Sequence, residues 1–99
     1  MTIQKSTDGS AMTVALRGRL DTVTAPELEA ALADSLTGIS QLVFDLSGLE
    51  YISSAGLRVL LAAHKAVGSQ GGQMVVRGAG ELVMEVFEVT GFTGILNIQ

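Results

Sequence analysis

The chain has 99 residues, 47% of them apolar and 16% charged, which suits one folded domain with its own core and excludes a disordered chain. It has no cysteine, which excludes disulfides and thiolate metal sites and is compatible with a cytosolic protein. Its net charge of −4 argues against nucleic acid or an anionic membrane as main partner, since both require a basic surface.

The opening Met1-Thr2-Ile3-Gln4-Lys5 has no apolar run behind it, so no signal peptide is expected. No stretch approaches the roughly 18–20 consecutive apolar residues of a membrane span. A soluble, cytoplasmic protein is the expectation. Residues 2–6 read as a short edge strand, and Asp8-Gly9-Ser10 as a hairpin turn. Met12, Val14 and Leu16 alternate with Thr13, Ala15 and Arg17, so residues 11–17 form a strand with one buried face. Gly18-Arg19-Leu20-Asp21 ends it, and the two strands are expected to pair antiparallel.

Thr24 and Glu27 match a capping box, with Pro26 in the first turn, where its missing N–H is harmless. Leu28, Ala31, Leu32, Ser35 and Leu36 share one face of a helix over residues 25–36, with Gly38 as its C-cap. Leu42, Val43, Phe44 and Leu46 form a run short enough for a buried strand over 41–46, and Ser47-Gly48 reads as the turn that ends it.

Beyond that turn, Leu57, Leu60, Leu61 and His64 recur at i, i+3, i+4 and i+7, which predicts a helix running to about Val67. Ser53 and Ser54 stand where this helix needs its N-cap. A serine there can cap the orphan N–H groups. It can also carry a phosphate, which those N–H groups and the positive end of the dipole favour. Arg58, one turn on, is placed to help hold such a phosphate.

Gly68 and Gly71-Gly72 stop this helix, and Met74, Val75 and Val76 are a buried strand candidate. Gly78-Ala79-Gly80 turns the chain into a third helix over 81–90, ended by Gly91. Leu82, Val83, Val86, Phe87 and Val89 are expected to face inward, and Glu81, Glu85 and Glu88 outward. Ile95, Leu96 and Ile98 suggest a last short strand. After the first hairpin, strands and helices alternate, which calls for parallel strands joined by right-handed helical crossovers. The predicted fold class is α/β: one domain over residues 1–99, with a mixed, mainly parallel sheet of four to five strands and about three helices packed on it. Its functional site belongs at the carboxyl ends of the strands, where the helices open.

Enzymatic alternatives fit poorly. A Gly-x-Ser-x-Gly elbow would need glycine where Ile52 stands. The only histidine, His64, lies about 15 Å along the same helix from Ser54, far beyond the roughly 3 Å that a general base requires. It is read instead as a partly buried residue at the edge of the apolar face. Gly78-Ala79-Gly80 lacks the third glycine of a dinucleotide fingerprint, and Glu81 would repel a phosphate there; a turn needing positive φ is the better reading. Glu81, Glu85 and Glu88 read as a solvated face. One histidine and no cysteine leave no transition-metal ligand set, and no cofactor is expected.

Five segments taken together carry a family resemblance: Gly18-Arg19-Leu20-Asp21, Ala25-Pro26-Glu27-Leu28, Phe44-Asp45-Leu46-Ser47-Gly48, Tyr51-Ile52-Ser53-Ser54-Ala55-Gly56-Leu57-Arg58-Val59-Leu60-Leu61 and Phe87-Glu88-Val89-Thr90-Gly91-Phe92. In order and spacing, over nearly the whole chain, they resemble the STAS domain of bacterial anti-sigma factor antagonists. The resemblance implies a non-enzymatic switch in transcription control. Unmodified, it would bind an anti-sigma factor that is a serine kinase. It would be released when that kinase phosphorylates Ser54, and a serine phosphatase would reset it. The resemblance also implies a partner-binding surface of Asp21, Ser53, Ser54, Gly56, Leu57 and Arg58. The chain departs from the family in two places: Ser53 replaces an aspartate, and Arg19 a glutamate. A constitutive STAS scaffold in a transporter or signalling assembly is the alternative, supported by the missing aspartate.

Overall fold

A computed structural model describes all 99 residues, Met1–Gln99. Strands β1 (Thr2–Asp8) and β2 (Ala11–Leu20) form the expected antiparallel hairpin, with Asp8 opposite Ala11 across a two-residue turn. Gly9 sits in that turn at φ +62°, a conformation glycine adopts without strain. Helix α1 (Ala25–Leu32), strand β3 (Gln41–Ile52), helix α2 (Ser54–Ser69), strand β4 (Gln73–Arg77), helix α3 (Glu81–Thr90), a 3₁₀ turn (Phe92–Gly94) and strand β5 (Asn97–Ile98) follow. The five strands lie in sequence order, and every pair after the first is parallel. With right-handed crossovers, that order puts all three helices on one face of the sheet.

Burial agrees. Met12, Val14, Leu16, Leu42, Phe44, Leu46, Met74 and Val76 are buried under the helices, whereas their alternates Thr13, Ala15, Val43, Asp45 and Val75 keep partial exposure on the bare face. The core is one cluster of 24 buried residues, none of them polar or charged. Val83 and Phe87 join it from α3, and Leu57, Val59, Leu60, Ala63 and Val67 from α2. Burying a side chain such as Phe44 or Phe87 contributes about 1.5–3 kcal/mol.

Gly68 does not stop α2, which runs through it to Ser69, and Ile95 and Leu96 precede β5 instead of joining it. Five further expectations need correction. First, Ser47-Gly48 is not a turn: β3 runs on to Ile52. Two bulges in β3 explain this. Ala15 pairs with Asp45 but Arg17 with Gly48, and Gly18 pairs with Leu49 but Arg19 with Tyr51, so β3 carries one extra residue at each step. Its buried residues change spacing from Leu42, Phe44 and Leu46 to Leu46, Leu49 and Ile52. Turn-type residues inside a bulged strand thus imitate a strand end. Second, β2 continues to Leu20 as its partner. Third, α1 ends at Leu32, and Gly38, at φ +80°, turns the following loop instead of capping the helix. Fourth, Thr24 makes no side-chain cap because its hydroxyl is used within the preceding loop. Fifth, Leu82 and Val89 face solvent, 54% and 81% exposed, because the sheet takes up only the Val83–Phe87 side of α3.

Candidate functional site

The carboxyl ends of β2 and β3 deliver two loops to one place. Ser53 N–H donates to the Leu20 carbonyl at 2.9 Å, tying the start of α2 to the end of β2. Gly56 makes this approach possible. A Cβ on it would lie 2.6 Å from Leu20 Cγ and 3.1 Å from Ile52 Cγ1. The first turn of α2 therefore rests directly on the strand ends.

Ser53 is the N-cap of α2, in extended conformation, and its Oγ accepts from Gly56 N–H at 3.4 Å. That is a long, weak capping bond. Its carbonyl accepts from Leu57 N–H at 2.9 Å. Ser54 is the first helical residue and is exposed. Its hydroxyl points away from the core at a helix start whose leading N–H groups have no partner one turn back. Arg58, also exposed, donates from Nε to the Ser54 carbonyl at 3.4 Å, so its guanidinium lies against this first turn.

The neighbouring loop is organised by Asp21. Its Oδ1 accepts from Val23 N–H and Thr24 N–H, both at 3.0 Å. Thr24 Oγ1 accepts from Asp21 N–H at 2.8 Å and lies 2.7 Å from the Arg19 carbonyl, to which it donates. The Thr24 backbone N–H, with help from its hydroxyl, the Val23 N–H and the nearby Arg19, holds the Asp21 carboxyl below its ordinary 3.8 against opposition from partial desolvation. Arg19 pairs loosely with Asp21, Nε to Oδ2 at 3.8 Å, and its guanidinium stacks 4.4 Å above the Tyr51 ring.

Of the six residues expected to meet a partner, Asp21, Ser53, Ser54 and Arg58 have accessible surface here. Gly56 and Leu57 do not. Both are buried, because a helix seated on Leu20 and Ile52 turns them inward. Sequence reasoning missed Val23, which is 80% exposed beside Asp21. An apolar residue inside a polar loop, Asp21-Thr22-Val23-Thr24, outside any helical or strand period, was the available signal. A cleft of about 240 Å³ opens between α1 and α2 beside this surface, lined by Thr22, Pro26, Glu29, Ala55, Arg58 and Val59 among others. An apolar groove of about 420 Å³ continues along the two helices, with Glu29 its only titratable side chain. His64 lies half-buried further along α2, its Nδ1 buried without a hydrogen-bond partner. No helix is long and apolar enough to cross a membrane.

This architecture, a mixed sheet with a serine-led helix at its carboxyl edge, is that of a STAS domain. The family model described as "Mlab, STAS domain" matches residues 3–97, and the chain belongs to this family. Curated proteins similar to it carry the name anti-sigma factor antagonist. BtrV of Bordetella bronchiseptica, provisionally named as one, is 40% identical over 84 residues, covering 84% of this chain and 72% of that protein. An anti-sigma factor antagonist from Mycobacterium paratuberculosis superposes with a TM-score of 0.86 at 28% identity, over 98% of this chain and 83% of that one. SpoIIAA of Bacillus, solved in unphosphorylated and phosphorylated forms, shares the fold with a TM-score of 0.77 in each case. At 13% and 14% identity, over 99% of this chain and 87% and 91% of those, that likeness is one of fold alone.

Proposed function

We propose that this chain is a non-enzymatic, cytoplasmic anti-sigma factor antagonist switched by phosphorylation of Ser54. Unmodified, it binds an anti-sigma factor with serine-kinase activity and so frees a sigma factor. The kinase then transfers the γ-phosphoryl group of ATP to Ser54 Oγ. The Oγ–P bond forms as the bond to ADP breaks, and the hydroxyl proton leaves to a base of the kinase. A serine phosphatase hydrolyses the phosphate and resets the switch.

The observation that carries this reading is the exposed Ser54 side chain at the start of an anchored helix. A phosphate there adds about −1.5 to −2 charges. It meets unpaired N–H groups and the positive end of the α2 dipole, with Arg58 on the same turn. The fold tolerates the charge, while a partner pressed against Asp21, Val23 and Ser54 does not. An unpaired charge forced into a desolvated interface costs about 2–5 kcal/mol. The test is to incubate the protein with a candidate kinase and ATP and map the modified residue by mass spectrometry. Phosphate on Ser54, with release of the complex, is the expected result. A complex that forms and dissolves normally while Ser54 stays unmodified refutes the mechanism.

One observation favours a second reading, a constitutive scaffold module in a transporter or signalling assembly. Ser53 supplies a neutral cap where the family carries aspartate, so one charge is missing beside the acceptor. In that case a phosphomimetic Ser54→Glu leaves partner binding unchanged.

A further inference from the structure

The bare face of the sheet carries a feature that the Ser54 switch does not use. Arg17, Arg19 and Arg77 all lie on it, on β2 and β4, around the carboxyl half of β3. They are half of the chain's six cationic side chains, in a protein whose net charge is −4. Two of them are laid down by their surroundings. The Arg17 stem crosses Gly48, close enough that a Cβ there would lie 2.7 Å from Arg17 Cγ. Arg19, 59% exposed, stacks on Tyr51 at 4.4 Å.

Their donors are largely unspent. The only ion pair in the molecule is the loose Arg19–Asp21 contact at 3.8 Å. Arg17 and Arg77 make no ion pair; Asp45 stands on β3 between their strands, and Glu50 is exposed further along β3. Asp45 is itself engaged: its Oδ1 accepts from Ser47 N–H at 3.0 Å. Next to the arginines, the middle of the face is half-exposed aliphatic surface from Ala15, Val43 and Val75.

We propose that this face is a second docking surface, for a partner protein that presents a helix with acidic and aliphatic side chains. Charge selects the occupant. Preoriented guanidinium groups with free donors seek carboxylates, and the aliphatic centre seeks apolar side chains. Arginine and tyrosine around an apolar centre match the composition of protein interfaces. The clefts of the molecule all lie among the helices or at the junction of α2 with β4 and β5, so this flat face offers no small molecule a pocket. Three arginines beside an aspartate, on an acidic protein, fall short of the field that nucleic acid requires. Ser54 opens α2 on the helix-covered side of the sheet, whereas Arg17 and Arg77 lie on the bare face; Arg19 alone reaches the Asp21 loop.

The test titrates the isotope-labelled full chain with a Glu/Leu amphipathic helical peptide, and with its Lys/Leu counterpart, and follows backbone amides by NMR. Saturable shifts at Arg17, Arg19, Gly48, Tyr51 and Arg77 are expected with the acidic peptide only. They should weaken as salt is raised. The double variant R17E/R77E should bind about tenfold or more weakly. The neutral pair R17Q/R77Q gives an intermediate loss and serves if the reversal disturbs the circular dichroism spectrum. Ser54→Glu should bind the peptide as the wild type does, which separates this surface from the phosphorylation switch. Any of four results overturns the inference: shifts centred on α1 and α2, unchanged affinity in both arginine pairs, equal binding of the Lys/Leu peptide, or tighter binding of duplex DNA or anionic vesicles. A dimer in sedimentation that R17E/R77E converts to monomer would also overturn it.

Discussion

Ser54→Glu should separate stability from binding. Ser54 is exposed and its side chain holds nothing in the fold; the cap belongs to Ser53. A carboxylate in the first turn of α2 meets unpaired N–H groups and the positive dipole end, worth about 0.3–1 kcal/mol. For a domain of this size, each kcal/mol shifts Tm by about 4–8 °C, so the variant should melt about 1–8 °C higher. The same carboxylate inside an interface with the anti-sigma factor costs about 2–5 kcal/mol, or roughly 30- to 4000-fold in Kd. Scanning calorimetry reads the first quantity and isothermal titration with the anti-sigma factor reads the second. Ser54→Ala should change neither by much and serves as the control. If Ser54→Glu binds like the wild type, the switch reading is wrong. If it loses binding and also melts well below the wild type, the residue has a structural role and the argument from an accessible hydroxyl fails.

Other outcomes follow from the same geometry. Ser53→Asp places a charged acceptor at the N-cap in place of a hydroxyl bonded at 3.4 Å, and should raise stability by about 0.3–1 kcal/mol in thermal melts. Gly56→Val puts a branched side chain where even a Cβ would lie 2.6 Å from Leu20 Cγ, and should destabilise by about 1–3 kcal/mol in urea unfolding, with loosened α2 amides in hydrogen exchange. Asp21 is held below 3.8 first by the Thr24 backbone N–H, and Asp45 first by the Ser47 backbone N–H. Depressed carboxyls contribute stability that is complete above the unfolded pKa and is lost as pH falls through the folded one. Urea midpoints should therefore hold steady above about pH 5 and decline below 3.8, with a shallower decline in Asp21→Asn.

Much of the fold was legible because hydrophobic period is a local property. The Met12-Val14-Leu16 alternation, the hairpin signal at Asp8-Gly9-Ser10 and the left-handed Gly91 at the end of α3 are decided within a few residues, and they appear as read. The misreadings come from competition by groups outside the pattern that each segment shows: a distant strand or sheet for Ser47-Gly48 and α3, and the preceding loop for Thr24. Pairing with β2 pulls Ser47 and Gly48 into a bulged strand. Asp21 and the Arg19 carbonyl draw the Thr24 hydroxyl away from the cap it resembles. The sheet accepts one side of α3, leaving Leu82 and Val89 outside.

For the site, the residue types alone specified a serine pair opening an amphipathic helix at the carboxyl end of a parallel strand. Capping preference and the dipole are properties of the local chain. Which of those residues meet solvent was beyond local information. That depended on α2 coming to rest on Leu20 and Ile52, which buries Gly56 and Leu57, leaves Ser54 and Arg58 open, and brings Asp21 alongside. The arginine-bearing bare face likewise exists only once β2, β3 and β4 are in register, because exposure and adjacency belong to the packed whole.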